Sequence, residues 1–431
     1  MVRIMKKIFK SLFWLFLLIL TIFLTYNLIE LESMDELWVY GFARNISKGL
    51  IPYKDFNMVV GPIFPYLMAL FLKILGTNLL TYHFVIDTLI ILIVYITSRK
   101  IGIKSILIYL GLVICFCNGY NILLLFLLIL LLVTPEENNK AVAVIISMMF
   151  LTKQTFAILM IPSILFSKKK KETIFIYLIS ILSLLLYLLL NNNLYQFIDY
   201  CFLGLLDFGN KNSKVSNPIL LTLEFIIILF LLFKLKKSHF KDQTVIYILF
   251  FQIMVIPILD NNHFVIAMIP VMYYYFGNAI KIKIIELIII IFFLIDFSLT
   301  IIFGFYLSFN DNIVYKEKTE LYNRRIPTSI ISEFKFIDNA YNEYQDYRIF
   351  LLSFKSYLLK INNAIDIDKY DLINEGNMGY NGDSKYITEI DNYCSKKNNK
   401  CLFILDSQIR EGFQTSKVIY NYIKEKYFLS F

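Results

Sequence analysis

The chain has 431 residues, of which 58% are hydrophobic and 17% charged, and its mean hydropathy is +0.64. Those values exclude an ordinary soluble domain and fit a polytopic membrane protein. The net charge of +9 is explained by the Lys and Arg of cytoplasmic loops rather than by nucleic acid, because no soluble basic module accompanies it.

A run crossing roughly 30 Å of hydrocarbon needs about 20 apolar residues. The first is Ile8–Ile29, preceded by Arg3, Lys6, Lys7 and Lys10. Its h-region is too long for a signal peptide, and no small-residue cleavage site follows, so it is expected to stay as a span. Further runs follow at Leu79–Thr97, Ile103–Cys117, Tyr120–Val133, Ala141–Leu151, Phe156–Phe166 and Thr173–Leu190. The last are Ile219–Phe233, Val245–Leu259, Phe264–Ala279 and Ile284–Leu307. The expected fold class is a polytopic α-helical membrane protein of about eleven spans. Several runs between Ile103 and Phe166 are short, as segments lining a cavity often are. With this pattern 18 Lys and Arg fall on the side of the N-terminus and seven on the opposite side. Lys and Arg prefer the cytoplasmic face. The N-terminus is therefore expected inside the plasma membrane, with residues 30–78, Lys153, the loop near His263 and the C-terminal region outside. Of the acids within runs, Asp87, Glu224 and Glu286, only Asp87 is expected to face the interior.

The expected division is a membrane domain over 1–307, with a large first outer loop at 30–78, and a small extracytoplasmic α/β domain over 308–431. In the latter, Arg348–Phe354 and Cys401–Asp406 read as strands, and Ser329–Tyr344 and Ser416–Tyr427 as helices. Asn374–Asp383 is a turn-rich loop without the spacing of a nucleotide fingerprint. Cys394 and Cys401 flank SKKNNK, which leaves a disulfide or two free thiols. Cys-x6-Cys without further ligands is not a zinc pattern. Cys115, Cys117 and Cys201 read as packing residues.

The unusual stretch is Ser33–Tyr66, SMDELWVYGFARNISKGLIPYKDFNMVVGPIFPY, where acids, bases and aromatics gather at the expected outer surface. Ser33-x-x-Glu36 is a capping box, in which Ser33 caps a helix and Glu36 reaches back to its amide. Gly49 and Pro52 stop that helix. Neighbouring helical residues point about 100° apart, so the two acids do not serve one atom, and Asp35 is the one left for general-base work. The plainer alternative is a solvated acid at a helix N-terminus. Trp38, Tyr40, Tyr53 and Tyr66 suit sugar stacking and equally suit an interfacial aromatic belt. Arg44 and Lys48 are expected to pair with nearby acids.

An Asp-Glu pair after the first span, an amphipathic helix, a Gly-x-x-Pro-Tyr-x-Asp turn and a Gly-Pro before an apolar helix together resemble the GT-C membrane glycosyltransferases. The likeness is to the branch holding protein O-mannosyltransferases and aminoarabinose transferases. It is carried by Asp35, Glu36, Gly49, Pro52, Tyr53, Asp55, Gly61, Pro62 and Tyr66. The resemblance implies transfer of a sugar from a polyprenyl-phosphate donor to an extracytoplasmic glycan, lipid or protein acceptor, with inversion and with Asp35 as base beside Glu36. It places Tyr53, Lys54, Asp55 and Tyr66 at the substrate. It also points to Lys153 and Gln154 in TKQT, and to Asp260 and His263 in PILDNNHFVIAMIP, as groups meeting the carrier phosphate, the plainer alternatives being a snorkelling interfacial Lys and a polar span boundary. The chain departs from the family at Val59-Val60-Gly61-Pro62, where a basic residue ahead of Pro-Pro is usual. A divalent metal, Mg or Mn, is left open, and Asp199 and Asp207 are further acids for orienting acceptor or metal. Two other classes compete. A transporter or flippase of lipid-linked saccharides calls for charges at mid-membrane and for repeated halves, and no repeat is visible. A non-catalytic scaffold or sensor leaves the Asp35–Tyr66 cluster without a purpose.

Overall fold

The computed structural model describes residues 2–27, 34–116, 119–135, 137–207, 218–239, 241–256, 259–278, 283–310, 312–317, 319–322, 324–352, 373, 377–405 and 416–427. In chain order the helices are α1 (Val2–Asn27), α2 (Met34–Ser47), α3 (Ile63–Leu75), α4 (Leu79–Ile101), α5 (Ser105–Ile114), α6 (Gly119–Val133) and α7 (Asn139–Thr152). There follow α8 (Met160–Phe166), α9 (Lys170–Leu190), α10 (Leu194–Ile198), α11 (Pro218–Lys237), α12 (Gln243–Val255), α13 (Asn261–Gly277) and α14 (Lys283–Asn310). The last part alternates strands β1 (Asn312–Val314) and β2 (Arg325–Pro327), α15 (Thr328–Glu343), β3 (Tyr347–Leu352), α16 (Gly382–Cys394), β4 (Lys400–Leu405) and α17 (Lys417–Tyr427).

The chain divides into two compact units, and the division is discontinuous. The first takes in Met1–Glu30, Leu79–Leu182 and Val215–Asp311; the second Leu31–Asn78, Ser183–Lys214 and Asn312–Phe431. The C-terminal segment shares its unit with residues 31–78 and with 183–214. The helices expected around Asp35 and after Pro62 are present as α2 and α3.

In the first unit the chain is helical and apolar, as the hydropathy pattern demands. Among the described residues, Leu79–Ile114, Lys170–Leu190, Pro218–Lys237 and Ile289–Tyr306 are long and apolar enough to cross a membrane. Shorter apolar helices accompany them, and one of 15 residues such as α6 spans about 23 Å at 1.5 Å per residue. Gly102, at φ +60°, breaks Leu79–Ile114 into α4, a 3₁₀ turn and α5. This is the most enclosed stretch, with 67% of its apolar window buried against 6% for Ile289–Tyr306. Peripheral helices that turn Leu, Ile and Phe outward, as α11 and α14 do, are suited to lipid. Helix starts are fixed by side chains that take orphan amides. Asn138 accepts from the Ala141 amide (3.3 Å), Asp242 from Val245 (3.1 Å) and Asp260 from His263 (2.8 Å). Gly111 of α5 has no side chain where Phe293 of α14 packs, and a Cβ would overlap that ring.

In the second unit, β3 and β4 pair in parallel with Tyr347 opposite Lys400 and Leu352 opposite Leu405, and Phe350 stacks on Phe403 at 5.1 Å. Both expected strands and both expected helices of the C-terminal segment are present. A disulfide joins Cys394 at the end of α16 to Cys401 on β4. Cys115 and Cys201 are buried thiols; Cys117 lies outside the described residues. Helix α2 is the surprise of this unit. An amphipathic helix with interfacial aromatics was expected, yet every residue from Glu36 to Ile46 is buried, with Tyr40 and Phe42 fully enclosed. Such a helix must have each of its charges answered from within the protein.

Candidate functional site

Helix α2 begins with Met34 and Asp35 and ends at Ser47, after which Gly49 takes φ +93° and its amide bonds Ile46 O at 2.9 Å. The expected stop is thus the one used. Ser33 lies outside the described residues, as does the side chain of Asp35. Glu36 is 1% exposed, and its carboxylate receives Arg324 Nη2 at 3.0 Å and Nη1 at 3.5 Å. Glu36 thus forms a buried ion pair with a residue 288 positions away, while the Ser33 amide expected to meet it lies outside the described residues. Arg324 is itself fully buried. Two turns along, Arg44 Nε donates to Glu320 Oε1 at 2.7 Å, and the Tyr40 hydroxyl donates to Glu320 Oε2 at 2.7 Å. Arg44 thus pairs with an acid far along the chain. Burial, then the Glu320 carboxylate, hold the Tyr40 hydroxyl well above its ordinary pKa, so it stays a donor. Trp38 lies one turn on from Asp35. Its ring meets Phe42 at 5.0 Å, and its buried Nε1–H finds no acceptor among the described residues.

The turn after α2 is built by Asp55, whose carboxylate accepts from the Ile51 amide (2.7 Å) while its own amide bonds Ile51 O (2.9 Å). This forces Tyr53 into the left-handed region at φ +67°, a strain of about 1–3 kcal/mol for a bulky residue. The surroundings hold it there. The Tyr53 hydroxyl donates to Val60 O at 2.7 Å, its ring meets Phe197 edge-on at 5.1 Å, and Asn193 Nδ2 donates to Pro52 O at 2.7 Å. Tyr53 is fully enclosed, so its ring is part of the core and presents no face to a sugar. Lys54 and Asp55 are exposed, and Tyr66 is 39% exposed with its hydroxyl 2.9 Å from that of Tyr187.

Asp199 and Asp207 find a different use from the one expected. Asp199 accepts from the Tyr380 amide (3.0 Å) and from Lys385 Nζ (2.7 Å), and Asp207 from the Asn381 amide (2.8 Å). Together they hold the turn that opens α16. Gly379, at φ +87°, has the Asp199 carboxylate where a Cβ would stand. The first residues of the turn-rich loop, 374–376, lie outside the described residues.

In the first unit the structure gathers the second set of expected residues around the start of α6. Lys153 Nζ lies over the Tyr120 ring, 5.5 Å from its centroid, and the adjacent Asn121 Nδ2 is 3.3 Å from His263 Nε2. His263 Nδ1 is 2.9 Å from Asp260 Oδ1. Burial alone would push the Asp260 carboxyl up, but the His263 ring and amide outweigh it and hold it below its usual range. Beside them Asn261 Nδ2 donates to Asp296 Oδ1 at 3.2 Å. Gln154 is buried in the 3₁₀ turn after Lys153. The rim thus carries an ammonium, an imidazole and amide groups within one polar constellation. Tyr120 and Asn121 were missed in the sequence, although a Tyr-Asn pair opening an otherwise apolar helix is a visible signal. Arg324 and Glu320 were missed with no signal, because nothing local marks a partner so far along the chain.

Among the described residues no three His, Cys, Asp or Glu side chains gather as they would to hold a divalent ion. The acids of the first unit are less alike than expected. Asp87 is fully buried and accepts from Thr25 Oγ1 at 2.8 Å, with His83 Nδ1 3.3 Å from the same hydroxyl. Glu224 is fully buried as well, which corrects the expectation that Asp87 alone faces inward; the side chain of Glu286 lies outside the described residues. Comparison with protein-family models, with curated proteins and with solved structures finds no match to this chain.

Proposed function

We propose that the chain is an integral-membrane glycosyltransferase that moves a sugar from a polyprenyl-phosphate carrier to an acceptor outside the cell membrane. The observation that carries this is the enclosure of α2. A helix whose first turn holds Asp35 is pinned by the Glu36–Arg324 and Arg44–Glu320 pairs, and a general base must be held within a fraction of an ångström of its working place. Asp35 takes the proton of the acceptor hydroxyl, whose oxygen attacks the anomeric carbon as the carbon–oxygen bond to the phosphate breaks. One displacement inverts that carbon, and the carrier leaves as a phosphate anion. Lys153 and His263 are the groups assigned to the phosphate, where a donor or cation stabilises developing charge. The indole N–H of Trp38, which has no acceptor among the described residues, is suited to a sugar hydroxyl. The topology proposed with it has about eleven spans, the N-terminus in the cytoplasm and the C-terminal segment outside. The Cys394–Cys401 disulfide suits an oxidising compartment.

The test is Asp35→Asn in the purified full chain, assayed on a panel of polyprenyl-phosphate sugars. Loss of a general base is expected to lower turnover about 10²–10⁴-fold; wild-type turnover in the variant removes Asp35 from the mechanism. A second reading, a transporter or flippase of lipid-linked saccharides, is favoured by the burial of Asp87 and Glu224 in apolar helices. It gains if the wild type turns over no donor yet moves labelled carrier lipid between leaflets of proteoliposomes.

A further inference from the structure

Helices α11, α12 and α13 of the first unit pack through two apolar clusters. One holds Ile228 and Leu231 of α11, Leu249 of α12 and Val271 of α13. The other holds Leu220 of α11 with Leu259 and Phe264, and Val255 of α12 packs against it. Each helix places one polar group between the clusters. Glu224 lies between Leu220 and Ile228, Gln252 between Leu249 and Val255, and the Ala267 carbonyl between Phe264 and Val271. Successive residues rise about 1.5 Å, so the three groups share a layer. Glu224 is about 15 Å along α11 from Lys234, half the thickness of a hydrocarbon core.

Among the described residues, that layer offers more acceptors than donors. Both Glu224 and Gln252 are fully buried, and neither Glu224 oxygen has a partner among the described residues. Gln252 spends its Nε2 on Ala267 O at 2.7 Å, and its Oε1 is left without a partner. Pro270, inside α13, brings no N–H to the carbonyl of Ile266 four residues back. Between Pro218 and Phe233 α11 has no basic residue, α12 has none, and α13 has none after His263. A Leu at position 224 would continue the inward stripe of Leu220, Ile228, Leu231 and Leu235 without the cost of burying a carboxyl.

Oxygen acceptors carrying one negative charge within apolar walls match a small cation of charge +1. A divalent ion would leave the layer charged in a low-dielectric setting. We propose that Glu224 and Gln252 form a binding site for a small monovalent cation, a proton or a sodium ion, in the membrane-spanning part of the chain. This stands independently of the sugar chemistry at Asp35.

The test uses the full chain in nanodiscs and a hydrophobic carbodiimide. A protonated carboxyl adds across the carbodiimide to give an O-acylisourea, which rearranges to an N-acylurea with every atom retained; a carboxylate holding sodium does not react. Modification of Glu224 is read by peptide mass spectrometry in choline chloride and in sodium chloride. Modification that sodium slows about tenfold or more, the worth of one charge-assisted contact, identifies sodium. Modification at one rate in both salts identifies the proton. No modification of Glu224 in either salt overturns the proposal. Gln252→Leu, which leaves Glu224 in place, is expected to change the modification rate or the sodium protection about tenfold; unchanged behaviour in both salts removes Gln252 from the site.

Discussion

The two units treat buried charge in opposite ways. In the second, Glu36 meets Arg324, Arg44 meets Glu320, and Asp199 meets Lys385, each at 2.7–3.0 Å. In the first, Asp87 is met by the Thr25 hydroxyl and Glu224 by no polar group among the described residues. Ion pairs of the first kind add little net stability, since desolvation offsets attraction, but they fix which surfaces meet and in what register. That is what a helix bearing the proposed general base needs. Asp87 ties α1 to α4 through Thr25, whereas Glu224 is placed for a small cation that comes and goes.

The contrast is broken most directly at Arg324. Arg324→Met strands the Glu36 carboxylate and is expected to cost about 3–5 kcal/mol in unfolding of the purified chain, with Glu36→Leu added to it recovering most of the loss. A single-variant cost below about 1 kcal/mol would mean that the pair is solvated and does not anchor α2. Glu224→Leu should have the opposite sign, raising stability by about 1–3 kcal/mol as a partnerless polar group gives way to apolar packing. A loss of that size would show that the carboxyl has a partner after all. Gly379→Ala tests the Asp199 clamp. The left-handed backbone alone costs about 1–2 kcal/mol, and the displaced carboxylate should loosen α16, visible as faster amide exchange there. Tyr53→Phe should cost about 1 kcal/mol by leaving Val60 O unpaired, with turnover of any donor unchanged; a fall in turnover with stability intact would return Tyr53 to the substrate.

The smallest effect is acid-dependent. Burial raises the Asp391 carboxyl, but hydrogen bonds from Lys426, Tyr422 and Tyr427 outweigh it, so its folded pKa lies below the unfolded value. Asp260 shifts the same way. The contribution of each to stability is whole above about pH 4 and fades as pH falls through the folded value. Unfolding midpoints should therefore drop below about pH 4 in the wild type and drop less in Asp391→Asn and Asp260→Asn.

The positions of the helices were legible in the amino-acid sequence, because twenty apolar residues in a row are a local signal that lipid-suited chains display without ambiguity. So were the strands at Arg348 and Cys401, the helices on either side, and the stop at Gly49, where a positive φ was required. Which way each helix turns was not legible. In α11 nearly every residue is apolar, so no periodicity separates the inward stripe from the lipid face, and Glu224 was misjudged for that reason. In α2 the reverse holds. Its mixed composition suggested a polar face at a membrane surface, while the partners that let it be enclosed, Arg324 and Glu320, lie 288 and 276 residues away.

By itself the sequence determined where this chain forms helices and that Asp35 and Glu36 open one exceptional helix, since both depend on neighbours within a turn or two. Only the tertiary structure decided that Glu36 faces an arginine, that Lys153 and His263 meet around Tyr120 and Asn121, that Cys394 and Cys401 are joined, and that Glu224 and Gln252 are both fully buried. Such pairings are set by how distant segments pack. A residue carries no local trace of the partner that packing will bring to it.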